Sequence, residues 1–236
     1  ERKEDIMRLI SEKGKLTEEL KASIIASNKL SELEDIYRPF KEKKKTRATE
    51  AKRKGLEPLA DIIMADSESG DLEEIAKNYI DEEKGVNSVE EAIAGASDIV
   101  AERISDDANL RKVLRTLLTD EAVIETKLDE EQENAKTYDM YAEYTEKISK
   151  IPSHRILAIN RGENEECLKV SVSIDVEAYY EIVNSNYVKG NNKSSLIVKS
   201  AGEDAFTRLI FPSVEREVRN DLTDKASEQA IKMFEV

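Results

Sequence analysis

LEDIYRPFKEKKKTRATEAKRKGLEPLA, residues 33–60, holds the punctuation from which the fold can be read. Ser31 with Glu34 has the spacing of a capping box for a helix that stops before Pro39, because the residue preceding a proline is pushed out of the αR region. Residues 39–45 then form a basic loop. Thr46 can cap a short helix that Gly55 ends, and Pro58 suits the first turn of the next one. Short helices joined by tight turns make helix-turn-helix-like pieces, and the rest of the chain can be tested for the same pattern.

Upstream, Ile6, Leu9 and Ile10 form an apolar stripe ended by Gly14, and Thr17 can cap a helix bearing Leu20, Ile24 and Ile25. Downstream, Asp71/Glu74 and Ser88/Glu91 repeat the capping-box spacing. They open stripes Leu72, Ile75, Tyr79 and Val89, Ala92, Ile93, Ala96, Ile99, Val100, and another helix carries Leu110, Val113, Leu114, Leu117 and Leu118. From Asp175 the helical period returns through Val176, Tyr179, Ile182 and Val183. A closing helix after Pro212, with Val214, Val218, Leu222, Ala226 and Ala230, would span about 37 Å.

Two places depart from that period. Residues 121–128 are ambiguous between strand and helix. After Pro152, the runs Arg155–Asn160 and Cys167–Ile174 flank Gly162 and predict a β-hairpin near 155–174, with Gly162 at its turn. The expected fold is therefore mainly α, a multi-helix domain with one short β-hairpin and a long C-terminal helix. The expected organisation is a helical domain over 1–150, the hairpin over 151–174, and a helical segment over 175–236. The last turns of that segment are expected to lack packing partners within one chain.

Composition narrows the function. Hydrophobic residues are 39% and charged residues 37% of the chain, too apolar for a disordered segment. No run reaches the roughly 18 apolar residues of a membrane span, and no signal peptide opens the chain. The single Cys167 excludes an internal disulfide and fits a reducing cytosol. One His and one Cys do not make a zinc site. Asp66-x-Glu68-x-Gly70 starts like a calcium loop but has Asp71 where Gly is needed and Lys77 where Glu is needed. Ser153 and His154 are sequence neighbours without a nucleophile elbow. Carboxylate pairs such as Asp106/Asp107 are too numerous to single one out, and no Gly-rich phosphate loop occurs. The expectation is no enzyme, no metal and no cofactor.

Charge is what remains. Between Arg38 and Lys54 the net charge is +7, while the whole chain carries −14 and the remainder −21. A basic island on an acidic body suits a polyanion or an acidic partner. Arg38, Lys41, Lys43, Lys44, Lys45, Arg47, Lys52, Arg53 and Lys54 are the candidate phosphate-binding residues, and Tyr37 and Phe40 could stack on bases. The alternative is that Tyr37 and Phe40 anchor the turn in the core while the lysines neutralise acidic helices. The C-terminal end of the helix after Thr46 also stabilises Lys52–Lys54 locally.

The 33–60 stretch resembles the signature of the Tex family, bacterial transcription accessory proteins related to a eukaryotic elongation factor. GKLTEEL (14–20), GASDIVAERISDDANLR (95–111), IPSHRILAINRGE (151–163) and AFTRLIFPSVEREVRNDLTDKASEQAI (205–231) follow in family order. The resemblance implies a cytoplasmic, RNA- or DNA-binding protein of transcription, with RNA polymerase or associated factors as partners. It also implies that a full member begins with a further helical segment. Beyond the matched region such a member continues into a YqgF-like domain, helix-hairpin-helix elements and an OB-fold RNA-binding domain that holds most of the RNA affinity. With Glu1 at the start and a helix predicted to run to Val236, both ends read as cuts within such a protein. Two readings follow: a nucleic-acid-binding module acting through the basic island, or a scaffold docking on the transcription machinery.

Overall fold

The computed structural model describes residues 1–66 and 70–234. Among them the helices are α1 (Arg2–Glu12), α2 (Glu18–Ala26), α3 (Leu30–Tyr37), α4 (Arg47–Arg53), α5 (Glu57–Ala65), α6 (Leu72–Lys77), α7 (Val89–Ser105), α8 (Ala108–Glu121), α9 (Ser153–Asn164), α10 (Val176–Tyr187), α11 (Lys193–Asp204) and α12 (Phe211–Phe234). The strands are β1 (Val123–Leu128), β2 (Glu143–Lys147) and β3 (Leu168–Ser173). The chain divides into two compact units, Glu1–Lys112 with Tyr180–Ile210, and Val113–Tyr179 with Phe211–Val236.

In the first unit, α1 to α3 close on a core of Ile6, Ile10, Ile24, Leu33 and Tyr37. Gly14 (φ +66°) ends α1, with its N–H donating to Ser11 O and that of Lys15 to Ile10 O, the paired bonds of a Schellman motif. Thr17 caps α2 by accepting from the Leu20 N–H. The Ser31/Glu34 box does not form. α3 starts two residues earlier behind Lys29, without a side-chain cap, because the Glu34 carboxylate is held by Arg2 at 2.6 Å.

The rest of this unit is organised by α7. Helices α4, α5, α6 and α11 all pack on it, and Ala92, Ala96, Ile99, Val100, Ala101 and Ile104 are fully buried. A helix apolar on most of its circumference belongs inside a bundle. Its small residues bring neighbours close: a Cβ at Gly95 would lie 2.4 Å from Leu56 Cδ1. Asp71 and Ser88 cap α6 and α7 by accepting from the Glu73 and Glu91 N–H groups, but the reciprocal half of each predicted box is missing: Glu74 accepts from Lys77 and Glu91 from the Asn87 N–H. Of the calcium-like spacing at 66–70, Glu68 lies outside the described residues.

The second unit is built on an antiparallel sheet of order β2-β1-β3, in register Ile124↔Glu146 and Ile124↔Val172. The ambiguous segment 121–128 is thus its central strand. An antiparallel hairpin is present, but its strands β1 and β2 lie upstream of the predicted position. Cys167–Ile174 does contain a strand, β3, whereas Arg155–Asn160 is helical, part of α9. Ile156 and Ile159 give this run a buried face at i, i+3, a spacing that a strand cannot place on one side. Gly162 is needed for packing, not for a turn. A Cβ there would meet Leu168 Cδ1 at 2.5 Å and Tyr138 Cδ1 at 3.0 Å.

Helix α11 lies within the expected helical segment 175–236, where no separate apolar stripe marks it. Residues Ala205–Ile210 continue from it in π-helical form, directly before α12. Pro212 lacks an N–H and its ring crowds the preceding turn, so a widened turn just ahead of it is the expected accommodation. Near the end of α12, Ile231 and Met233 are 59% and 82% exposed. No described helix is long and apolar enough to cross a membrane.

Candidate nucleic-acid interface

The basic segment starts at the C-terminal end of α3. Tyr37 is 8% exposed and sits in the α1–α3 core with Arg2 over its ring, and Phe40 packs partly buried against the same core. The faces of Tyr37 are thereby covered by protein, and these rings anchor the turn. Arg38 opens a 3-10 turn over Arg38–Phe40 and is half-buried.

Five residues beyond Arg38, the loop is tied down. Lys43 Nζ donates to Asp106 Oδ2 and lies 3.5 Å from Glu102 Oε1, with only 23% of its side chain exposed. Thr46 Oγ1 donates to the other Glu102 oxygen at 2.8 Å. Burial holds the Asp106 carboxyl above its ordinary pKa, while the hydrogen bond from Lys43 works against that rise. Glu102 and Asp106 stand near the end of α7, on the GASDIVAERISDD stretch, so a lysine of the basic run is committed to acids about sixty residues away. The chain then passes through a left-handed residue, Lys45 (φ +27°), into the capping box of Thr46 and Thr49 that starts α4. Such a conformation costs a non-glycine residue on the order of 1 kcal/mol.

The remaining cations point outward. Lys41, Lys44, Lys45, Arg47 and Lys52 are exposed and Lys54 is half-buried, and none of the six makes an ion pair among the described residues. Arg53 is held by Glu50 at 3.0 Å on the same helix. α4 ends in a second Schellman motif, Gly55 N–H to Lys52 O and Leu56 N–H to Ala51 O, with Leu56 buried beneath Gly95.

Between α4 and α7 lies a groove of about 550 Å³. Lys45, Arg47 and Lys54 line it together with Glu50, Glu91 and Asp98. Two of these acids are already engaged, Glu50 by Arg53 and Glu91 by the backbone N–H of Asn87 at 2.8 Å. Burial raises the pKa of Asp98, against the pull of Arg208 and Arg47.

Sites weighed for catalysis look different. Ser153 donates to Gln229, His154 is exposed, and Arg155 stacks on Tyr144 while bonding its hydroxyl at 2.9 Å. Asp107 caps α8 through the N–H groups of Asn109 and Leu110 and accepts from Tyr187 at 2.6 Å. Cys167 is buried, and burial pushes its thiol pKa up. No group of three or more His, Cys, Asp or Glu poised for a metal occurs among the described residues.

The class defined here is a mainly helical module with a mixed-charge groove beside a basic loop. A family model described as Tex central region-like matches residues 67–234, and the chain belongs to the Tex family. It is 44% identical to the uncharacterized protein YdcI of Bacillus subtilis, over 99% of this chain and 33% of that protein. It is 33% identical to the transcriptional accessory protein Tex of Neisseria gonorrhoeae, over 99% and 31%, and 32% identical to protein YhgF of Escherichia coli, over 99% and 32%. The chain thus spans about a third of the length of these relatives. Residues 38–54 precede the segment matched by the family model but lie within the span shared with these relatives.

Proposed function

We propose that this region serves a Tex-family transcription accessory protein as a helical scaffold that adds weak, sequence-independent phosphate contacts to RNA or DNA. The observation that carries the reading is the set of exposed cations without ion pairs among the described residues, Lys41, Lys44, Lys45, Arg47 and Lys52, on a loop and helix held in place by Lys43 and Thr46. A fixed scaffold below a solvated cationic edge suits a backbone-tracking contact. The relative named transcriptional accessory protein supports a role in transcription, with RNA polymerase or its associated factors as further partners.

A second reading keeps the scaffold and gives the surface to a protein partner. It is favoured by Glu50, Glu91 and Asp98 among the lysines, since scattered charges of both signs weaken the attraction of a polyanion.

The deciding experiment titrates this chain with fluorescently labelled single-stranded RNA over a series of salt concentrations. Binding is expected in the range of about 10⁻⁴–10⁻⁶ M typical of non-specific complexes. The triple variant Lys44→Ala/Lys45→Ala/Arg47→Ala should weaken it for all sequences alike and flatten the log–log salt slope by about 0.7 per lost contact. An unchanged slope would leave the protein-docking scaffold alone.

A further inference from the structure

The fold adds a residue that the basic segment does not contain. Lys84 lies thirty positions downstream of Lys54, in a tight turn closed by reciprocal hydrogen bonds between Asp81 and Val86, both 2.9 Å. Gly85 (φ +84°) completes that turn, as Gly55 (φ +80°) completes α4. The two lysines cross. Lys84 Nζ comes within 3.7 Å of where a Cβ on Gly55 would stand. Lys54 Cε and Nζ come within 3.7 and 3.9 Å of the same point on Gly85. Each ammonium therefore rests over the glycine that follows the other lysine, in van der Waals range of where a Cβ would stand.

This crossing stands at the groove between α4 and α7, which Lys54 and Gly85 both line. The crossing sets two lysine side chains beside each other, a local excess of positive charge suited to an anion. Among the described residues Lys54 makes no ion pair, and Lys84 makes only an exposed contact to Asp81 at 3.5 Å, which is worth little. Along the groove Lys45 and Arg47 continue the positive line, with Glu50 and Glu91 already occupied by other partners. A volume near 550 Å³ is of the size that holds a nucleotide-sized ligand.

We infer that the groove between α4 and α7 is a binding site for the sugar-phosphate backbone of single-stranded nucleic acid, with Lys54 and Lys84 gripping phosphate at one end and Lys45 and Arg47 at the other. The inference rests on the nucleic-acid reading above and gives it a track and a further residue. The floor on the α7 side is Ala94 and Gly95, which leave the bases room without reading them.

The test uses the whole chain with labelled single-stranded RNA across salt concentrations, and circular dichroism to verify folding. Lys54→Ala/Lys84→Ala should flatten the salt slope by about 1.4, two contacts' worth. Ala94→Trp, which fills the groove from an exposed position on α7 without altering charge, should weaken binding severalfold. Lys21→Ala, on α2, should match the parent. If the triple variant at Lys44, Lys45 and Arg47 weakens binding while Lys54→Ala/Lys84→Ala and Ala94→Trp bind like the parent, the groove is wrong and the wider interface stands. If none of these variants changes the slope, both fall. Should Ala94→Trp disturb folding, the double lysine variant decides alone.

Discussion

Two groups of cations in the first unit contrast in what surrounds them. At the inner corner, Arg111 is 0% exposed and donates to Asp35 at 3.0 Å, and Lys43 is drawn between Glu102 and Asp106. At the outer edge, Lys44, Lys45, Arg47 and Lys54 meet no carboxylate within ion-pair distance among the described residues. Lys43 and Lys44 are adjacent in an unbroken run of three lysines, yet one is a structural tie and the other a solvated charge. The difference teaches that the role of a charge in this protein depends on whether a packed helix sets an acid opposite it. Where α7 and α3 do so, the cation is part of the fold. Elsewhere it stays solvated.

The contrast is broken most severely at Arg111. Arg111→Met leaves Asp35 buried without its ion partner, and removing one member of a buried pair costs about 3–5 kcal/mol. Urea unfolding should show that loss. Adding Asp35→Leu should recover much of it, and a failure to recover would mean that the pair itself, not the stranded charge, matters.

A smaller effect is expected at Lys43. Its loss leaves Asp106 without its ammonium partner and Glu102 with the Thr46 hydroxyl, at a cost of about 1–3 kcal/mol. Lys43→Ala should lower the urea midpoint yet keep the salt slope for single-stranded RNA. Lys44→Ala should do the reverse, with stability within about 0.5 kcal/mol of the parent. Equal behaviour of the two variants would erase the distinction between inner and outer cations.

The smallest effect concerns Asp98, which Arg47, Arg208 and Asp204 also influence. Burial raises its folded pKa, so the folded state holds the proton more tightly than the unfolded chain. Its contribution to stability therefore falls as pH rises from the ordinary carboxylate range through the folded value. Asp98→Asn should gain stability over the parent across that window and on to neutral pH, with no gain below it. It should also strengthen RNA binding slightly, by removing an acid from the groove. Thermal melts at several pH values, paired with titrations at neutral pH, would measure both.

Helix boundaries were legible wherever the signal was local. Thr17, Thr46, Asp71 and Ser88 each cap a helix with their side chains, and Gly14 and Gly55 end helices through backbone bonds that only a left-handed residue completes. The Ser31/Glu34 box failed because a residue thirty-two positions away holds Glu34. Arg155–Asn160 was misread because a short apolar run suits either period until its neighbours are known. β1 and β2 were unclear for a related reason: strand pairing is set by partners distant in sequence, here Ile124 between Glu146 and Val172.

The sequence alone determined the family, the predominance of helix and the position of the basic island, because composition, caps and periodicity act over a few residues at a time. Tertiary structure alone decided which cations of that island stay outside. It brought Glu102 and Asp106 to Lys43, covered Tyr37, and set Lys84 across Lys54. Each of these depends on residues tens of positions apart meeting in space. Ion pairing and burial fall off within a few ångströms, so no local pattern could have announced them.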